Sequence, residues 1–147
     1  MVTAFRPFSN GCDIPYKLQR TLLAPASHWF AKSFTGDMIQ EDGKLEIRLH
    51  DTSPEAFENF LYRLFCKEVP NPEYEIDLAA RQAFAVLLWL FADSHFLAST
   101  KNAAIVQLLH TLDTQHSILE IVQKAFECSP PGSPLRRIML RDVVARL

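Results

Sequence analysis

From Ala83 to Ala92 the chain carries no polar side chain at all. This run lies inside a longer helical stretch, Leu78 to about Ser94, for which Asp77 is a suitable N-cap. A helix that is apolar on every side has no face to offer to water, so the rest of the chain must surround it. The run is half the length of about 20 residues that a membrane span needs, so it reads as a buried core helix. The remainder can supply that cover: 147 residues, 48% of them hydrophobic, make one compact unit with a real core. A net charge of −2 argues against binding nucleic acid through bulk electrostatics. Cys12, Cys66 and Cys128 are odd in number and widely spaced. They read as reduced thiols rather than a disulfide framework, which suits a cytoplasmic or nuclear protein. The first residues lack the basic start and long apolar core of a secretory signal.

The elements around the central helix follow from local patterns. Val2–Phe8 and Cys12–Tyr16 read as a hairpin about Asn10-Gly11, a strong two-residue turn signal. Leu18 to Ala24 is a short helical stretch stopped by Pro25, and Ser27 can cap a second one that buries Trp29, Phe30 and Phe34. Asp37 to Gly43 reads as an acidic loop. Lys44 to His50 alternates strictly, with Leu45, Ile47 and Leu49 on one face, which predicts a half-buried strand. Ser53-Pro54 then opens a helix whose stripe is Phe57, Phe60, Leu61, Leu64 and Phe65. Past the central helix come helices over about 100–112 and 115–127. Ser129-Pro130-Pro131-Gly132 stops the second, and Ser133-Pro134 starts a last helix that runs to Leu147. The expected fold class is α+β: a small, mainly antiparallel three-stranded sheet packed by a cluster of helices, with a C-terminal helical extension. The expected division is 1–112 for the main domain and 113–147 for a helical pair packed on it.

Catalytic patterns are nearly absent. There is no Gly-rich phosphate loop, Cys-x-x-Cys pair, His-Glu-x-x-His helix or Gly-x-Ser-x-Gly elbow. The five histidines are scattered without ligand spacing, so no metal and no cofactor are expected. Asp93-Ser94-His95 holds the residue types of a triad, but neighbours on a helix point apart and cannot relay a proton among themselves. Cys66 beside Lys67 reads as a small side chain closing its helix rather than a reactive thiol. Trp29 and Trp89 read as core anchors. Arg136, Arg137, Arg141 and Arg146 could meet an acidic partner or nucleic acid, but with Asp142 their segment is only +3. Residues 37–58 hold seven acids against Lys44 and Arg48, a local −5. Either the two ends approach one another within the fold, or they offer complementary faces to partners.

Taken in order, these stretches resemble the BTB/POZ domain family. Tyr16 to Phe30 is similar to the family's aromatic residue, basic pair, two apolar residues and Ser-x-x-Phe. Gly36 to Glu41 is similar to its loop ending in Glu, followed by the alternating strand and by Ser53 to Phe65. Phe91-Ala92-Asp93-Ser94-His95-Phe96 resembles its Leu-Ala-Asp-Lys-Tyr. Ser133 to Arg137 is similar to the helical extension of many fungal members.

The resemblance implies a non-catalytic protein–protein interaction module. Such domains act as adaptors that dock a cullin scaffold of a ubiquitin ligase, as homo-oligomerising scaffolds, or in transcription. Partner contact is expected at Met38, Ile39, Phe57, Glu58, Phe60, Cys66 and Lys67. Several departures bear on this. Gln19 stands at the family's His, Phe57-Glu58-Asn59 lacks the final Glu of the cullin-docking motif, and Phe65, Cys66 and Lys67 replace Tyr-Thr-Gly. The chain starts at its first strand, so dimerisation through an extra N-terminal helix is not expected. A thiol-dependent enzyme is the last alternative.

Overall fold

The computed structural model describes residues 2–7, 16–33, 39–41, 44–49, 54–66 and 77–147. Strands β1 (Val2–Pro7) and β2 (Tyr16–Gln19) pair antiparallel, with Val2 opposite Gln19 and Phe5 opposite Tyr16. Strands β3 (Ile39–Glu41) and β4 (Lys44–Leu49) also pair antiparallel, with Ile39 opposite Glu46. The sheet order is β2-β1-β4-β3, and its central pair β1–β4 runs parallel, Phe5 opposite Ile47.

Seven helices complete the described residues: α1 (Arg20–Leu23), α2 (His28–Ser33), α3 (Pro54–Cys66), α4 (Leu78–Ser94), α5 (Ala98–Leu112), α6 (Leu119–Cys128) and α7 (Pro134–Ala145). None is long and apolar enough to cross a membrane.

The expected fold class is corrected on two counts. The sheet has four strands rather than three, and its middle is parallel. Alternating hydrophobicity reports which face of a strand is buried and says nothing of its direction or partner. The extra strand, β3, lies inside the segment read as an acidic loop; three residues are too few to show a period of two. The described buried hydrophobic residues, from Leu23 and Phe30 through Phe57, Trp89 and Leu108 to Met139, lie on helices or at a helix junction, and the strands' side chains lie outside the described residues. The expected burial of Leu45, Ile47 and Leu49, the turn at Asn10-Gly11, and Phe34 and Ser53 lie outside the described side chains.

The central helix is covered on most sides, with Ala83, Phe84, Leu87 and Leu90 only half-buried. Gln82, Ala85, Val86, Leu88, Trp89, Phe91 and Ala92 of α4 are buried, and α3, α5 and α6 all pack on it. Each fully buried Leu or Phe side chain is worth about 1.5–3 kcal/mol of transfer free energy. The Asp77 carboxylate accepts from the Ala79 amide at 3.0 Å, as an N-cap should. In the same way Ser27 Oγ accepts from Phe30 N at 3.2 Å, and Ser133 Oγ accepts from Arg136 N with Pro134 following. Gly132 sits at φ 74°, a left-handed conformation that glycine adopts without a Cβ penalty.

Helix α6 starts at Leu119, four residues later than its apolar spacing predicts. Residues ahead of it are drawn into tertiary hydrogen bonds. Gln115 O accepts from Gln82 Nε2 at 2.8 Å, while Ser117 turns to Asp142. In the C-terminal pair, α6 packs on α4 and α7, and α7 also packs on α5.

Candidate interaction surface

An aromatic cluster fixes α3. Phe57 and Phe60 are 0% and 2% exposed, with ring centroids 6.0 and 5.2 Å from Phe91 of α4. Phe30 of α2 stacks on Phe60 at 5.7 Å. His95 closes the cluster, 4.2 Å from Phe91 and 4.5 Å from Trp29. Its Nδ1 donates to Phe91 O at 2.7 Å, and burial lowers its pKa below the ordinary histidine value despite that bond. At the far end, Arg63 Nη2 donates to Ser99 Oγ at 2.8 Å and Ser99 O at 3.2 Å, pinning α3 to the start of α5.

With this inner face anchored, α3 turns Glu58, Tyr62 and Phe65 outward. The two rings are 46% and 61% exposed. Phe65 was expected in the buried stripe. At 100° per residue it lies about 80° from Phe57, at the edge of the apolar face, and the edge falls outside the core.

Among the expected contact residues, Glu58 is therefore on the surface. Phe57 and Phe60 are interior and hold that surface in place. Ile39 lies on β3 and Cys66 ends α3; their side chains, with Met38 and Lys67, lie outside the described residues.

The sequence reading missed Phe96. It follows α4 in a left-handed conformation, φ 56°, with its ring 72% exposed. Leu97 N donates to Ala92 O at 2.8 Å and Phe96 N to Asp93 O at 3.5 Å, the bond pair of a Schellman helix stop. Glycine is the usual residue there. An aromatic costs about 1 kcal/mol more, and such outliers gather at functional sites. The available signal was a helix ending without Gly or Asn, followed by an aromatic.

Asp93, Ser94 and His95 serve separate structural ends. Asp93 pairs with Lys101 at 3.0 Å, Ser94 Oγ donates to Leu90 O at 3.0 Å, and His95 bonds Phe91 O. Lys101 also sits over the Trp89 ring at 5.5 Å.

The four C-terminal arginines divide. Arg136 Nη2 donates to Phe126 O at 2.6 Å and Nε to Ser129 Oγ at 3.2 Å, capping the end of α6. Arg146 bonds Ser117 O and the Asp142 carboxylate. Asp142 has a 3% exposed side chain, with further donors in Ser117 Oγ at 2.6 Å, Ser117 N at 3.2 Å and His116 Nδ1 at 2.7 Å. These bonds outweigh its desolvation and hold the carboxyl well below the usual carboxylate range. Only Arg137 and Arg141 face solvent among the four without a described partner, which weakens the nucleic-acid reading. Cys128 is a free, exposed thiol. Among the described residues no group of three or more His, Cys, Asp or Glu side chains could hold a metal ion.

The sequence signature of the BTB/POZ domain family matches residues 12–92. No curated protein matches the chain.

Proposed function

The chain belongs to the BTB/POZ domain family, whose members are typically protein–protein interaction modules rather than enzymes, and we propose that it docks partners through the outer face of α3 together with Phe96. The supporting observation is the exposure of Tyr62, Phe65 and Phe96 on a frame immobilised by the Phe57–Phe60–Phe91 cluster. Rigid exposed aromatics give large contact area at low entropic cost, the character of binding hot spots. Glu58 adds one charge to that face. Met38, Ile39, Cys66 and Lys67 would extend it.

The partner class we favour is the cullin scaffold of a ubiquitin ligase, with the chain as a divergent adaptor. The likeness of the α3 segment to the family's docking helix supports this, and the missing acid at Asn59 implies weaker docking than in members that carry it. Residues 113–147 would act as an extension that steadies the module.

Light scattering of the chain mixed with a cullin N-terminal fragment tests the reading. A 1:1 complex lost on Phe65→Asp with Phe96→Asp supports it. A complex indifferent to both substitutions, or none at near-millimolar concentration, removes the adaptor role.

A further inference from the structure

Helices α5 and α7 wall an open groove of about 540 Å³. Leu109 of α5 and Leu140 and Val144 of α7 line it and are 42%, 55% and 57% exposed, so apolar surface faces water. Val106, one turn before Leu109, is 53% exposed and continues the strip along α5. On α7 the exposed line is Arg137, Leu140, Arg141 and Val144, at i, i+3, i+4 and i+7. It is about 10 Å long at a rise of about 1.5 Å per residue.

The positive charge on this face is uncompensated. Helices α5 and α7 hold one acid between them, Asp142, which is buried and committed to Ser117, His116 and Arg146. Lys101 pairs with Asp93, and Arg136 caps α6. Arg137 and Arg141 are exposed, one turn apart and of like charge, an arrangement that mildly disfavours the helix on its own. The remaining acid in the lining, Asp113 past the end of α5, offsets one of these two cations at most.

The chemistry of an occupant follows from these features. A small ligand needs enclosure and a free buried polar group to orient it. This groove is open, and both Asp142 oxygens are already taken. An extended peptide needs an unpaired sheet edge, whereas both walls are helices whose backbone groups bond within the helix. A helix satisfies its own backbone and can lay an apolar stripe between Leu109, Leu140 and Val144. Acids flanking that stripe would meet Arg137 and Arg141 in charge-assisted pairs. Nucleic acid fits less well, because two cations make few phosphate contacts and the lining holds no Phe, Tyr or Trp ring on which a base could stack.

We infer that the α5–α7 groove docks an acidic amphipathic helix of a partner protein, its apolar face on Leu109, Leu140 and Val144 and its acids on Arg137 and Arg141. The site uses no residue of α3, so the inference does not depend on the reading of that helix. A single helix in one groove belongs to the small, weak class of interfaces, and a dissociation constant of roughly tens to hundreds of micromolar is expected.

Fluorescence anisotropy on the whole chain tests it. The probe is a labelled synthetic peptide of about 14 residues, with leucines at i, i+3, i+4 and i+7 and glutamates on the flanks. Two companion peptides carry lysine in place of glutamate, or serine in place of leucine. The chain should bind the acidic amphipathic peptide at least about tenfold tighter than either companion, and more weakly as salt is raised. Leu140→Asp and Arg141→Glu lie on the surface and should preserve the far-UV circular dichroism spectrum. Each should weaken binding by at least about tenfold, whereas Lys124→Glu on α6, an equal change in net charge, should leave it unchanged. Arg137→Glu combined with Arg141→Glu should reverse the preference toward the lysine peptide, which a merely unfolded variant would not do. A chain that ignores the acidic peptide up to near-millimolar concentration overturns the inference. So does one that binds a companion equally well, or that keeps the acidic peptide after Leu140→Asp. A groove that instead takes a short DNA duplex or phosphatidylserine vesicles through Arg141, or a second copy of the chain through Leu140, overturns it as well. Phe65→Asp with Phe96→Asp should leave peptide binding intact while abolishing cullin docking, so either reading can fail without the other.

Discussion

Asp142 is where one substitution should do most damage for least change in shape. Its carboxylate is 3% exposed and takes bonds from Ser117 N, Ser117 Oγ, His116 Nδ1 and Arg146, joining α7 to the segment between α5 and α6. Asp142→Asn keeps the volume but removes the charge, and turns an NH2 toward groups that are themselves donors. Hydrogen bonds to a charged group are worth about 1.5–3 kcal/mol each, and breaking a buried charge network costs about 3–5 kcal/mol. Arg146 and His116 are 29% and 53% exposed in their side chains and can turn to water, which lowers the cost. The expected loss is therefore about 3 kcal/mol, or roughly 6–12 °C in melting temperature for a domain of this size.

The pH dependence supplies a second check. The folded carboxyl is held below its unfolded value, so its contribution is complete above the unfolded pKa of about 3.9 and fades as pH falls toward the folded one. Urea titrations of wild type and variant should differ by a constant amount from pH 7 to 5. Below about pH 4 the gap should close by up to about 1.4 kcal/mol per pH unit. A variant within about 0.5 kcal/mol of wild type at pH 7 would refute the reasoning, as this is the usual size of a plain surface change. A gap that stays constant into strong acid would do the same.

His95 should act in the opposite pH range. Burial lowers its folded pKa, so the unfolded chain takes up a proton first and wild-type stability should fall as pH drops below about 6.5. His95→Gln should flatten that part of the profile in denaturant titrations; an unchanged slope would count against the assignment. Phe96→Gly should raise stability by about 1 kcal/mol by relieving the left-handed strain, and should weaken partner binding through the lost ring. Calorimetry together with the binding assay separates the two effects. Ser133→Ala should cost about 1 kcal/mol, because the amide of Arg136 loses its cap, and thermal unfolding reads this directly.

What the sequence determined by itself was local. Asp77, Ser27 and Ser133 cap the helices they precede because an N-cap needs only one side chain and an amide two or three residues on. The all-apolar Ala83–Ala92 run needed cover, and most of it is buried, with Ala83, Phe84, Leu87 and Leu90 half-buried at its margin. The order of the segments from Tyr16 to Phe96 was enough to reveal the family.

Tertiary structure decided everything that depends on what stands opposite. Whether β1 pairs parallel with β4 cannot be read from either strand, since each offers the same ladder groups in both directions. Phe65 at the edge of its stripe could have gone in or out, and the width of the neighbouring core left it outside. Asp142 looked like one more charge on a basic helix until Ser117 and His116, some 25 residues earlier in the chain, came round to face it. Phe96 stands exposed in the left-handed turn between α4 and α5, where the two helices pack on one another.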